Sequence, residues 1–215
     1  FLARMKFILS KGCKMDTKIS QDLEKFANIP NLKNAITFFG SARLKEDSFY
    51  YQEAKKLANL CVENGFCVVS GGGGGIMRAA NAGAAKCKND ANFIKSVGFN
   101  ILLPFEQKLN DFVEYNITFE SLAIRKMALI EKSLAFVIFP GGFGTLDELC
   151  EVLTLKQLGF KNNVPIILFG SEFWQGFDEF VRNSLLKLEV ISKGDELKYE
   201  ITDDLDYIIN TLKEL

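Results

Sequence analysis

Two glycine-rich turns, a pair of adjacent basic residues and one carboxylate are the groups in this chain whose types and spacing could do chemistry together. Ser70 is followed by five glycines, Gly71 to Gly75, and an alanine-rich stretch begins at Ile76. Pro140-Gly-Gly-Phe-Gly-Thr145 forms the second turn, with Glu148 just beyond it and Arg125-Lys126 upstream. Glycine allows close approach of the backbone to a ligand, and the unpaired N–H groups at a helix start favour an anion. Gly141, Gly142, Gly144 and Thr145 therefore offer amide and hydroxyl donors to a phosphate. Glu148, one turn on, would face the sugar attached to that phosphate. The same Thr145-Leu-Asp-Glu148 also has the form of a capping box, in which Glu148 simply completes the helix start. Spacing leaves both roles open, and they could be sequential. Arg125-Lys126 divides in the same way, between a solvated helix face and an arm reaching into the crevice.

Several chemistries are excluded. The 215 residues contain no histidine, so Ser-His-Asp and Cys-His nucleophile systems and HExxH zinc hydrolases are impossible within one chain. Proton transfer falls to Asp, Glu, Lys, Tyr or Cys. Starting G-x-G-x-x-G at Gly71, Gly72 or Gly73 puts Ile76, Met77 or Arg78 in the last place, and the dinucleotide fingerprint fails. There is no G-x-x-x-x-G-K-[ST] either. Gly72 and Gly73 remain candidates for close ligand approach. With 26 basic and 27 acidic residues, the chain has no general attraction to nucleic acid or membrane. Five cysteines, Cys13, Cys61, Cys67, Cys87 and Cys150, form no CxxC pair. Neither a disulfide framework nor a zinc site is indicated, and we expect a reducing, cytoplasmic setting. Phe7-Ile8-Leu9 is too short for a signal core or a membrane span.

The elements that must position these groups follow a regular alternation. Residues 1–33 read as an N-terminal arm or short helix, amphipathic around Ile19 to Ile29, and residues 34–215 as a single domain. Buried-strand runs are predicted at Ala35–Phe39, Phe66–Val69, Ser96–Leu103, Val113–Phe119, Leu134–Phe139 and Val164–Phe169. Helices are predicted over about 48–64, 76–88, 121–133, 145–158, 173–188 and 203–213. Continuous apolar strands alternating with helices indicate α/β architecture: a doubly wound, Rossmann-like parallel sheet with helices on both faces. Ligands of such sheets bind beyond the carboxyl ends of the strands. Gly40-Ser41, Ser70 to Gly75 and Pro140 to Thr145 all fall at strand ends, so Ser41 joins the candidate ligand-binding residues in one crevice.

These segments resemble those of a known family. Ser70-Gly-Gly-Gly-Gly-Gly-Ile-Met-Arg-Ala-Ala-Asn-Ala-Gly-Ala84 is similar to the GGGPGIMEAANxGA segment of the Lonely-guy (LOG) family. Arg125-Lys126 and Pro140-Gly-Gly-Phe-Gly-Thr-Leu-Asp-Glu148 match its RK and PGGxGTxxE signatures, and Gly98 to Gln107 resembles a stretch of its longer-chain branch. The similarity runs from about Ile36 to Trp174. The resemblance implies a cytokinin riboside 5'-monophosphate phosphoribohydrolase, an N-glycosidase releasing the free base and ribose 5-phosphate from AMP or N6-modified AMP. It implies Arg125 and Glu148 as the catalytic pair, Gly141, Gly142, Gly144 and Thr145 as the phosphate loop, and Lys126 as a substrate-binding residue. It implies no metal, no cofactor, a small-molecule nucleotide as partner and a homodimer or larger homo-oligomer. Gly74 stands where proline is usual in the family, and Arg78 where glutamate is usual. The family's older lysine decarboxylase label would require a pyridoxal phosphate lysine, and no sequence feature identifies one. The alternative from another class is a non-catalytic nucleotide or molybdenum-cofactor carrier, whose fold and glycine loops are similar. Such a carrier needs the phosphate cradle but not a poised carboxylate.

Overall fold

A computed structural model describes residues 17–87, 93–102 and 108–215. The Phe7-Ile8-Leu9 run, Cys13, Lys88 and the segment from Leu103 to Gln107 lie outside the described residues. Among the described residues, seven strands form one sheet in the order β4-β3-β2-β1-β5-β6-β7, and every neighbouring pair is parallel. The strands are β1 (Ala35–Phe39), β2 (Cys67–Ser70), β3 (Ser96–Ile101), β4 (Tyr115–Phe119), β5 (Ala135–Ile138), β6 (Ile166–Phe169) and β7 (Glu200–Thr202). A first helix, α1, covers residues 17–27. It is followed by α2 (Phe49–Glu63), α3 (Ile76–Lys86), α4 (Leu122–Glu131), α5 (Phe143–Gln157), α6 (Ser171–Phe180) and α7 (Leu205–Lys213).

The continuous apolar strands are buried on both faces because successive side chains point to opposite sides of the sheet. Ile36 and Phe38 of β1, Val137 of β5 and Ile167 of β6 pack with α2, α3 and α7. Phe39, Phe136, Ile138 and Leu168 pack with α4, α5 and α6 on the other face. Phe38, Phe99, Phe119, Phe136, Phe139, Phe169 and Trp174 are fully buried. Each such side chain contributes roughly 1.5–3 kcal/mol of hydrophobic stabilisation. The doubly wound parallel sheet expected from the sequence is therefore the fold. No helix among the described residues is long and apolar enough to cross a membrane.

The chain winds outward from β1 to β4, then returns to place β5 on the other side of β1. The switch point thus lies between β1 and β5, where the connections leave in opposite directions and open a crevice. Predicted and observed strands differ by a few residues at their ends. The short polar edge strand β7, Glu200-Ile201-Thr202, had no predicted counterpart. The helix expected over 173–188 is α6 followed by a π-helical turn, Val181–Leu186.

The helix α1 is docked through charge. Asp22 is fully buried and accepts hydrogen bonds from the N–H groups of Glu120 (2.7 Å) and Ser121 (2.6 Å). Lys25 pairs with it at 2.8 Å. Burial alone would raise the Asp22 pKa, but these bonds hold it below the usual carboxylate value. The carboxylate caps the entry to α4, since negative charge is favoured at a helix N-terminus.

Candidate active site

At the carboxyl ends of β1 and β5 lies a cavity of about 670 Å³, whose walls include Ser41, Gly71, Arg125, Gly142, Thr145 and Glu148. A larger, more open groove of about 1070 Å³ runs along α2 and the start of α7, and none of the sequence-predicted site residues lines it. Its walls mix Lys55, Lys56 and Lys86 with Asp203, Asp204 and Asp206. The smaller crevice coincides with the switch point.

Two helices bring the central pair together. Arg125 projects from α4 and Glu148 from the second turn of α5, and Arg125 Nη1 donates to Glu148 Oε1 at 3.0 Å. Arg125 Nε donates to the carbonyl of Phe99 at 3.1 Å, at the sheet end of β3. The guanidinium is thus held in orientation from two directions, and it is mostly buried, with the side chain 13% exposed, rather than part of a solvated face. Burial lowers its pKa, while the Glu148 charge works to raise it. Glu148 is only 6% exposed, and its other oxygen, Oε2, is buried with no hydrogen-bond partner among the described residues. Burial pushes the Glu148 carboxyl up to about 7; Arg125 and Lys126 pull it down, and Glu151 and Asp147 add to the rise. A carboxyl poised near neutral pH, with one oxygen anchored and one free, suits proton transfer or water activation.

The capping-box reading of Glu148 is corrected. Helix α5 starts at Phe143 with Gly142 as its N-cap and no side-chain cap, so Thr145 is the third helical residue and not the cap. The Thr145 N–H bonds the Gly142 carbonyl at 3.0 Å. Glu148 is carried inward to Arg125 instead of back to the helix start. With no side chain capping it, the first turn of α5 leaves the N–H groups of Phe143 and Gly144 available to an anion. A Cβ added at Gly142 or Gly144 would meet nothing within 4 Å, so the space above this turn is open. Gly141 is different: its Cβ would lie 2.1 Å from Thr145 Oγ1, which makes it a packing residue beneath the turn.

The first glycine loop serves the site at a different position from the one expected. A Cβ on Gly71 would lie 2.2 Å from Arg125 Nη2, so Gly71 is the seat of the guanidinium. Gly72 and Gly73 do not line the crevice. Gly72, at φ +71°, accepts from the Asn110 backbone N–H at 2.9 Å, and the Gly73 carbonyl accepts from Asn110 Nδ2 at 3.0 Å. Asn110 also donates to Asn81 Oδ1 at 2.9 Å, and Asn81 joins Ser70 and Ser96. This buried, mutually bonded set fixes the loop. Nothing in the spacing of Asn81 and Asn110 marks them as partners.

Lys126 also lies outside the crevice lining. It runs along the outer side of α5, 2.8 Å from Asp147 and 2.6 Å from Glu151. Burial works to lower its pKa, but these partners raise it overall. The crevice does contain Ser41, Arg125, Gly142, Gly144, Thr145 and Glu148, together with Arg43, Met77, Leu122, Phe143 and Asp147, which the sequence did not single out. Only Arg43 carried a signal, two positions after Ser41 at the end of β1. Among the described residues no three Cys, Asp or Glu side chains are grouped to hold a metal ion.

Comparison with known proteins shows the family and the fold. A family model described as "Possible lysine decarboxylase" matches residues 77–212. A bifunctional cytokinin biosynthesis protein of Fusarium pseudograminearum is 28% identical over 167 residues, 71% of this chain and 34% of that protein. A probable cytokinin riboside 5'-monophosphate phosphoribohydrolase of rice, LOGL5, is 34% identical over 131 residues, 59% of this chain and 50% of that protein. The chain thus spans half or less of the length of these two relatives. Among solved structures, a molybdenum cofactor binding protein from Rippkaea orientalis aligns with a TM-score of 0.59 at 21% identity. That alignment covers 85% of this chain and 96% of the other, a likeness of fold.

Proposed function

Because the chain belongs to the possible lysine decarboxylase family, which includes the Lonely-guy phosphoribohydrolases, we propose that it hydrolyses the N-glycosidic bond of a nucleoside 5'-monophosphate. The substrate is AMP or an N6-modified AMP, and the products are the free base and ribose 5-phosphate. The observation that carries this reading is Glu148: one oxygen is tied to Arg125 at 3.0 Å, and the other is buried, unpartnered and in the crevice wall.

In this reading the phosphate sits at the uncapped start of α5, where Gly142 and Gly144 leave room for it. Binding energy from the phosphate, remote from the reacting carbon, then positions the sugar. The bond between C1' and the base nitrogen breaks with its electron pair going to the base, and C1' gains oxocarbenium character. The Glu148 carboxylate stabilises that charge and takes a proton from the water that adds to C1'. The proton taken up by Glu148 passes to the departing base nitrogen, which regenerates the carboxylate, so AMP and water give adenine and ribose 5-phosphate. Arg125 holds Glu148 in position and contributes positive charge beside the sugar. No cofactor enters this scheme. Gly72, Gly73, Gly141 and Lys126 act by supporting the crevice.

The reading includes assembly of copies of this chain, supported by Phe143, 92% exposed at the crevice lip, with Leu122 beside it, 53% exposed. It includes a reducing, cytoplasmic setting, supported by the buried free thiols Cys61, Cys67 and Cys87. A second reading, a nucleotide or molybdenum-cofactor carrier, is favoured by the fold likeness to a cofactor-binding protein. A carrier has no use for an unpartnered buried carboxylate beside its cradle. Incubation with AMP, following adenine and ribose 5-phosphate by chromatography, separates the two. Turnover supports the hydrolase. Tight AMP binding without cleavage of any nucleoside monophosphate supports the carrier.

A further inference from the structure

We propose that Arg43 is the residue that recognises the charge of the 5'-phosphate, and so sets the preference for a phosphomonoester over the uncharged nucleoside. This rests on reading the crevice as a nucleotide site. The cations lining the crevice are Arg43 and Arg125. Arg125 is already committed to Glu148 and to the Phe99 carbonyl. The neighbouring Lys126 is neutralised by Asp147 and Glu151 on the outer side of α5. Among the described residues the Arg43 guanidinium makes no hydrogen bond or ion pair, and the residue is exposed. Among the described residues it is the one crevice cation with its charge unspent.

Its backbone is held between the two glycine turns. The Arg43 N–H donates to Ser41 Oγ at 3.1 Å, and the Ser41 N–H donates to the carbonyl of Pro140 at 3.0 Å, next to the turn that opens α5. On the other side the Ile76 N–H donates to the Ser41 carbonyl at 2.9 Å. A Cβ on Gly75 would lie 2.1 Å from that carbonyl oxygen, so the segment packs closely on the first glycine loop as well. Arg43 therefore leaves a pinned segment between the two glycine turns, and its exposed guanidinium is unpaired among the described residues. Arg125 is matched by Glu148 and Asp147 by Lys126, and the α5 amides supply only partial charge. A phosphate dianion needs a full counter-charge, and arginine's planar fork matches it bidentately.

Equilibrium titration of wild type, Arg43→Gln and Arg43→Lys with inorganic phosphate, ribose 5-phosphate and adenosine tests this assignment. We expect Arg43→Gln to weaken both phosphates by about 10–100-fold, to flatten their salt dependence and to leave adenosine unchanged. Arg43→Lys should recover part of the loss. Unchanged phosphate binding in Arg43→Gln, or equal weakening of ribose 5-phosphate and adenosine, overturns the assignment, as does a wild type that binds neither phosphate. These readouts are independent of turnover. A wild type that binds ribose 5-phosphate through Arg43 yet cleaves neither AMP nor any other nucleoside monophosphate sinks the hydrolase reading and leaves Arg43's role standing.

Discussion

Gly71 offers a test of how the first glycine loop contributes, because its backbone does not require glycine while its surroundings do. Its φ lies outside the left-handed region, so alanine introduces no backbone strain there. The added Cβ would instead lie 2.2 Å from Arg125 Nη2 and 2.7 Å from Met77 Sδ. The thioether is the end of a flexible chain and yields. The guanidinium, bonded to Glu148 at 3.0 Å and Phe99 at 3.1 Å, must retreat by about 1 Å to reach ordinary contact, beyond what those bonds tolerate. Overpacking of this kind costs about 1–3 kcal/mol. Losing a charge-assisted bond in the transition state costs about 2–4 kcal/mol, or roughly 30- to 1000-fold in kcat. We expect Gly71→Ala to lose kcat in that range and to lower Tm by about 2–4 °C per kcal/mol of the packing cost. In an Arg125→Ala background the collision is gone, so adding Gly71→Ala should cost almost nothing more in stability or rate. Full activity in Gly71→Ala, or losses that simply add to those of Arg125→Ala, would refute the account of Gly71 as the guanidinium's seat.

Further expectations concern charge and packing around the same pair. Since the ionised carboxylate acts as base and Glu148 titrates near about 7, kcat/KM should rise with pH through the neutral range. Lys126→Met removes a charge that lowers the Glu148 pKa, so the limb should move to higher pH; a limb that stays in place or moves down contradicts the arrangement. Gly141→Ala should destabilise the fold through the 2.1 Å approach to Thr145 Oγ1, whereas Gly144→Ala, with nothing within 4 Å, should keep its Tm and weaken phosphate binding. Equal Tm losses in the two would mean the turn packs differently. Asp22→Ala should cost about 1–3 kcal/mol by uncapping the entry to α4, read by denaturant unfolding. Because Asp22's pKa is held below its ordinary value, its contribution is present above that value and lost as pH falls through the folded pKa. The difference between wild type and variant should therefore shrink in acid.

The parts of this molecule legible in the sequence are those set by local pattern. Ala35-Ile-Thr-Phe-Phe39 and Leu134 to Phe139 read as buried strands because, apart from the exposed Leu134, they are buried on both faces, and the glycine turns after them mark the strand ends where ligands bind. Arg125 and Glu148 were legible through signature segments. Other features depend on side chains distant in sequence. Thr145-Leu-Asp-Glu148 imitates a capping box, but glycine can serve as an N-cap without a recognisable side chain, and with Gly142 as cap the helix starts three residues earlier than the pattern suggests. Lys126's destination is set by Asp147 and Glu151, which meet it only once α4 and α5 lie side by side. Asn81 and Asn110 are unremarkable polar residues until the sheet brings them beneath the loop. The edge strand β7 has three residues with little apolar pattern, and its pairing comes from the neighbouring β6.

The central claim is that Glu148 acts as a carboxylate base at a phosphate-anchored sugar, and Glu148→Gln tests it most directly. Glutamine keeps the size and a carbonyl to accept the Arg125 bond but cannot take a proton from water. Adenine release from AMP should be measured for wild type and variant, with ribose 5-phosphate binding to each measured alongside. We predict a folded variant that still binds ribose 5-phosphate and turns over AMP about 100-fold or more slowly than wild type. An active wild type whose Glu148→Gln variant retains most of that rate would contradict the account.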